Sequence, residues 1–315
     1  MQVKVFFFVS SLLLAGITNA QVVYPYPLRS FALTIENKKA QMVYMDIKPA
    51  TSNGRTIILF HGKNFNGYYW KDIIPALTEK GYRVIVPDQL GWGRSDKPEL
   101  HYSFHMLANN NRLLLDSLHI DKVTVIGHSM GGMLAARFAL MYPGRTEKLV
   151  LENPVGLEDY KTFVPYKSQD EIYQKEKAAT YESYKKYQQS YYPVWKPEYE
   201  QYVQAQAEAL NDPAFDRIAR VNAITYQMIY EQPVVYEFPQ ITVPTLLVIG
   251  QADRTIVGKD LLTEEQKNKF GQYPRLGKKI QQQISNCKLV ELPGIGHIPH
   301  IQDATLFKKV LLSFL

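Results

Sequence analysis

Cysteine is scarce in this chain of 315 residues: Cys287 is the only one. No internal disulfide can form, so stability has to come from a packed core. A lone thiol cannot build a thiolate cluster, and the 7 histidines show no ligand spacing, so no metal site is expected. Charge of one sign is equally thin. The 36 basic and 30 acidic residues are interspersed, the formal net charge is +6, and no basic block or nucleic-acid motif occurs. Nucleic acid is not expected as a partner. Internal repeats and low-complexity segments are also missing.

Long apolar runs are confined to the start. Met1 to Ala20 carries Lys4, an apolar run from Val5 to Ile17, then Thr18-Asn19-Ala20. That pattern predicts a secretory signal peptide cut before Gln21, and hence a periplasmic or secreted location. The run is short for a membrane span, so no stable membrane insertion is expected after cleavage.

What the chain does have is a strand–turn–helix in residues 122–142. The β-branched run Val123 to Ile126 breaks at Gly127-His-Ser-Met-Gly131 and continues as an Ala/Leu-rich helical stretch. A G-x-S-x-G in that context is a nucleophile elbow, with Gly127 and Gly131 where side chains would clash and Ser129 at the tip. The helix that follows aims its N-terminal amides at developing negative charge.

Two later stretches repeat the design. Thr245 to Ile249 reads as a buried strand ending in a Gly turn with Asp253 at its tip, and Lys288-Leu-Val-Glu-Leu-Pro-Gly-Ile-Gly-His297 as a strand and turn ending in histidine. Parallel sheets present functional groups at strand carboxyl ends. The chemistry needs all three: a serine is a poor nucleophile until an imidazole takes its proton, and a carboxylate sets the imidazole's tautomer. Ser129, Asp253 and His297 are the catalytic candidates. His300 is a rival base, but Gly294 and Gly296 set His297 on a mobile turn. Asp260 is a rival acid, but it lies beyond the turn in a polar segment that reads as helical. His128 reads as a packing and hydrogen-bonding residue.

The strand Thr56 to Phe60 runs into His61-Gly62-Lys63-Asn64. In this chemistry the amide after the nucleophile, Met130, pairs with one from the earlier loop. The Lys63 amide is the expected second oxyanion donor, with Asn64 behind it. Such donors contribute about 3–4 kcal/mol each to the transition state.

Strand candidates Thr56 to Phe60, Arg83 to Pro87, Lys122 to Ile126 and Lys148 to Glu152 alternate with helical stretches near Trp70–Lys80 and Ser103–Leu118. An antiparallel start over Ser30 to Lys48 precedes them. This is the rhythm of a doubly wound α/β sheet. The rhythm stops at about Val155. From there to Glu237 the chain is rich in tyrosine and reads as several short helices.

With these motifs, and with Asp88-Gln-Leu-Gly-Trp-Gly-Arg-Ser-Asp-Lys-Pro98 and Gly-Ile-Gly-His-Ile-Pro-His around His297, the chain resembles the α/β-hydrolase superfamily, in particular its cap-bearing serine hydrolases. The resemblance covers most of the chain beyond the signal. It implies a mostly parallel, doubly wound eight-stranded sheet with a core of residues 21–154 and 238–315 and a helical cap of residues 155–237. Ser129 argues against epoxide hydrolases and haloalkane dehalogenases, which carry an aspartate nucleophile, and the cap motif of the proline-specific aminopeptidases is not seen. The expected activity is cleavage of a small-molecule carboxylic ester or related acyl bond through an acyl-enzyme, without a cofactor. Two alternatives stand beside it: a carbon–carbon bond hydrolase of the meta-cleavage-product type using the same residues, and a non-catalytic protein that uses the pocket for ligand capture. The expected partner is a small-molecule substrate; no oligomeric state follows from the sequence.

Overall fold

The computed structural model describes residues 22–315, so the expected signal peptide, residues 1–20, lies outside the described residues. Strands β1 (Leu28–Ile35) and β2 (Lys38–Ile47) form a hairpin. Its two turn residues, Glu36 and Asn37, have φ of 49° and 62°, the left-handed conformation that matches a tight turn to twisted strands. Then come β3 (Thr56–Phe60), β4 (Arg83–Pro87), β5 (Val123–His128), β6 (Thr146–Glu152), β7 (Thr245–Gly250) and β8 (Cys287–Leu292). They join one sheet in the order β1-β2-β4-β3-β5-β6-β7-β8. β2 pairs antiparallel with β1 and β4, and the remaining pairs are parallel.

Helices cover both faces of the sheet. The core helices are α1 (Ile74–Glu79), α2 (Phe104–Ser117) and α3 (Met130–Met141). Between β6 and β7 lie α4 (Gln169–Lys177), α5 (Tyr181–Gln189), α6 (Glu200–Ala207) and α7 (Phe215–Glu231). The chain closes with α8 (Glu264–Lys269), α9 (Tyr273–Gln283), α10 (Pro299–Gln302) and α11 (Ala304–Phe314). Strand periodicity divides the core in two. Ile58 and Phe60 of β3 pack with Leu107 of α2, Leu134 of α3 and Ile280 of α9. Their neighbours Ile57 and Leu59 face the other way, toward Leu77 of α1 and Phe307 of α11.

The stretch near Trp70–Lys80 departs from the sequence reading. A short 3-10 turn covers Gly67–Trp70, and α1 starts only at Ile74, with Pro75 in its first turn. Proline suits that position because its missing N–H has no partner there anyway.

The β6–β7 insertion is held by small contacts of its own. Ser168 and Thr180 start α4 and α5 as reciprocal capping boxes with Glu171 and Ser183. Ile172 and Tyr173 of α4 pack on Ala219 and Ala223 of α7, and Tyr184 of α5 on Val203 and Ala207 of α6. Among the described residues no helix is long and apolar enough to cross a membrane. The order matters for function: β3, β5, β6, β7 and β8 are parallel neighbours, so the loops leaving their carboxyl ends gather along one edge.

Candidate active site

Ser129 is the single residue between the end of β5 and the start of α3. Its φ of 57° and ψ of −122° lie where L-residues are strained. Such a conformation costs about 1–3 kcal/mol and persists only when its surroundings enforce it. Backbone bonds hold it, with the Ser129 N–H donating to the Glu152 carbonyl at 3.1 Å and the Ser129 carbonyl accepting from Gly132 at 2.9 Å, and flanking glycines permit the tight turn. A Cβ on Gly127 would stand 2.0 Å from the Gly131 carbonyl oxygen, and one on Gly131 would stand 2.3 Å from that of Phe60.

Asp253 leaves the turn after β7, and His297 the turn after β8. The structure brings both to Ser129. His297 Nε2 is 2.9 Å from Ser129 Oγ, and His297 Nδ1 is 2.7 Å from Asp253 Oδ2. All three are buried. With Nδ1–H donating to the carboxylate, Nε2 is left to accept the serine proton. Burial works to raise the Asp253 carboxyl. The adjoining imidazole and hydrogen bonds from His297, Asn153 and Thr255 outweigh it and hold the group below the ordinary carboxylate range.

Asn153 is a member the sequence reading missed. It sits just past β6 at φ 36°, donates from Nδ2 to Asp253 Oδ2 at 2.7 Å, and accepts the Gly250 N–H at 3.0 Å. It thereby ties the acid to the strand that carries it. Its place immediately after a parallel strand, beside the acid-bearing strand, was the available signal.

The loop after β3 is set by buried polar groups. His61 Nε2 accepts the Gln89 N–H at 2.9 Å, so its Nδ1–H donates to the Gly62 carbonyl, also at 2.9 Å. The Phe65 N–H reaches that carbonyl too, at 3.2 Å. A trans peptide points its N–H away from its carbonyl, so the Lys63 N–H faces the opposite side. Gly62 itself lies against Ser129: a Cβ there would be 3.2 Å from Ser129 Cβ. Met130 opens α3, where a backbone N–H has no partner within the helix. Lys63, Asn64, Ser129 and Met130 all line one cavity.

The rival residues occupy other roles. His300 pairs through Nδ1 with Glu152 at 2.9 Å and stacks on Trp70 with ring centroids 4.2 Å apart. Asp260 lies in the one-turn 3-10 helix Lys259–Leu261 and binds Lys175 Nζ at 2.6 Å. His128 belongs to a buried relay. The Gly62 N–H donates to the Tyr69 hydroxyl at 2.9 Å, and that hydroxyl lies 3.2 Å from His128 Nδ1. This leaves His128 Nε2–H to donate to the His297 carbonyl at 2.8 Å. Burial pushes the His128 imidazole down to about 3.

The cavity over Ser129 has a volume of about 400 Å³. Val155, Ala178, Ala179, Ile229 and Val257 supply apolar wall, and Tyr184, Tyr187, Tyr191 and Tyr226 complete the lining with aromatic side chains. Both lysines of the lining are paired. Lys63 Nζ lies 3.5 Å from Glu176, and Lys175 Nζ 2.6 Å from Asp260. Among the described residues no group of three or more His, Cys, Asp or Glu is arranged to hold a metal ion.

Residues 55–304, a span that takes in every group described above, match the alpha/beta hydrolase fold family. The chain belongs to that family. The hydrolase fold is shared with the crystal structure of a probable hydrolytic enzyme from Pseudomonas aeruginosa: 44% identity, TM-score 0.91, 93% of this chain and 95% of that one. Curated relatives match over shorter stretches. An uncharacterised protein of Mycobacterium tuberculosis is 40% identical over 105 residues, 33% of this chain and 30% of the relative. The 2-hydroxy-6-oxo-2,4-heptadienoate hydrolase of Pseudomonas putida is 33% identical over 108 residues, 33% of this chain and 39% of the relative. The chain thus spans well under half the length of these curated relatives.

Proposed function

We propose that this hydrolase-family protein cleaves neutral small-molecule carboxylic esters, or closely related acyl bonds, by two-step acyl transfer to water. The observation that carries the reading is the single imidazole, His297, within hydrogen-bond reach of both Ser129 Oγ and Asp253 Oδ2.

Ser129 attacks the substrate carbonyl as its proton passes to His297 Nε2. Asp253 stabilises the imidazolium and keeps the tautomer that exposes Nε2. The Met130 and Lys63 amides receive the tetrahedral oxyanion, in a buried setting where such donors act more strongly than in water. His297 then gives its proton to the leaving alcohol. It next removes one from the water that attacks the acyl-enzyme, releasing the acid and restoring Ser129. Residues 155–237 form the roof that shapes the cavity and limits water.

Charge supports the ester over the carbon–carbon bond reading suggested by the heptadienoate hydrolase. That relative's named substrate carries a carboxylate, which calls for an unpaired cation. Both lysines lining this cavity are already ion-paired. A neutral substrate leaves those pairs intact.

The test is covalent. A fluorophosphonate should label the protein at Ser129, and Ser129→Ala should abolish both labelling and turnover of p-nitrophenyl esters. A Ser129→Ala variant with full turnover would end the proposal. Tight binding of one compound without hydrolysis across an ester panel would favour ligand capture instead. For location, we propose export. A secreted or periplasmic product beginning at Gln21 is the expected result, and a cytoplasmic product retaining Met1 would contradict it.

A further inference from the structure

One residue of the β6–β7 insertion touches both the loop that carries His297 and the loop that carries Lys63. Tyr191 lies just past α5. Its backbone carbonyl accepts the His297 N–H at 2.7 Å, and its phenol oxygen accepts from Asn64 Nδ2 at 2.9 Å. Its ring packs beside that of His297, with centroids 4.8 Å apart and planes inclined by 31°. The residue is only 6% exposed. The two backbones meet so closely that a Cβ on Gly296 would stand 2.2 Å from the Tyr191 carbonyl oxygen. Glycine is the residue that permits this approach.

We propose that Tyr191 is a positioning residue that holds the His297 imidazole and the Lys63–Asn64 loop in a fixed mutual register. The inference rests on the serine-hydrolase reading above and deepens it: the insertion is part of the catalytic alignment as well as a roof. The two bonds act on separate parts. The carbonyl bond fixes the backbone of the base, and the phenol bond fixes the loop whose amide meets the oxyanion. Loosening that loop weakens contacts that tighten as the oxyanion forms, while ground-state binding in the apolar cavity is little affected. The loss therefore falls on kcat and spares KM.

Tyr191→Phe keeps the ring and the carbonyl and deletes the phenol's bonds to Asn64 and to the Tyr187 hydroxyl; Asn64→Ala deletes the Asn64 bond alone, from the other side. Each should lower kcat for a p-nitrophenyl ester by about 5–20-fold, with KM changed by less than about twofold. The double variant should be no slower than the slower single variant, because both remove one shared interaction. The acid limb of the pH–rate profile should stay in place, since the bonds to the imidazole nitrogens are untouched. Full kcat in both single variants would overturn the proposal. So would a raised KM at unchanged kcat, or losses that multiply in the double variant; either would leave Tyr191 as cavity wall only. If Tyr191→Phe does not fold, Asn64→Ala carries the kcat-against-KM test alone. Fluorophosphonate labelling of the unaltered protein separates the two levels. Labelling at Ser129 with insensitive variants rejects the role of Tyr191 only, whereas no labelling rejects the serine chemistry and this inference with it.

Discussion

Two histidine–carboxylate pairs lie three residues apart in the chain and share nearly the same first contact. His297 meets Asp253 at 2.7 Å, and His300 meets Glu152 at 2.9 Å, with all four side chains buried. Their far nitrogens differ. His297 Nε2 faces Ser129 Oγ at 2.9 Å. His300 Nε2 is buried among packing groups, and its ring stacks on Trp70. Burial drives both members of the second pair toward their uncharged forms, raising the carboxyl and lowering the imidazole. In the first pair, hydrogen bonds from Asn153 and Thr255 help keep the carboxylate charged. An imidazole–carboxylate contact therefore identifies nothing by itself. What matters is whether the second nitrogen can reach a group that gives up a proton.

The largest effect that should separate the pairs is on turnover. Asp253→Asn is isosteric and should fold normally, yet it favours the tautomer with Nε2 protonated and should slow ester cleavage by about 10⁴-fold. A circular dichroism spectrum like that of the parent, together with p-nitrophenyl ester kinetics, checks both halves. Turnover within tenfold of the parent would erase the distinction between the pairs.

The converse substitution should act on stability. His300→Ala removes a buried ring stacked on Trp70 and one of the hydrogen bonds to the Glu152 carboxyl, and should destabilise the fold by about 3 kcal/mol, measurable by urea unfolding. Turnover per folded molecule should fall by less than about tenfold, because the far nitrogen of His300 meets no reacting atom. A large loss of turnover at unchanged stability would reverse the assignment.

The most gradual effect is spread over pH and isolates the relay beneath both pairs. His128 is held neutral, with its folded pKa depressed to about 3 by burial. A group depressed in this way contributes its full stability above its unfolded value, near 6.5. As pH falls from there toward 3 the unfolded chain takes up a proton that the folded chain refuses, and stability drops by about 1.4 kcal/mol per pH unit. The melting-temperature advantage of the parent over His128→Gln should narrow across that window. A constant gap would show that His128 is protonated in the folded state.

Much of this arrangement was legible before any coordinates. β3, β4 and β7 are short apolar runs bounded by turn residues, and their positions followed from that pattern alone. The approach of Ser129, Asp253 and His297 followed from three strand ends in one parallel sheet. The start of α1 was misjudged because tertiary packing places Trp70 in a 3-10 turn ahead of it. Asn153 carried a positional signal that was passed over, whereas Tyr191 and the Glu152–His300 pair could not be read, because no motif marks which neighbours they meet. Tyrosine density marked the insertion but did not say which ring would lie beside the base.

The backbone at residue 129 sets chemistry and durability against each other. Its φ of 57° makes glycine the least strained occupant of that position, so a serine there keeps a permanent local penalty. Sequence drift that favoured thermal robustness alone would tend to replace it. Under the proposed acyl transfer, that standing penalty is the cost of placing a reactive hydroxyl at the kink.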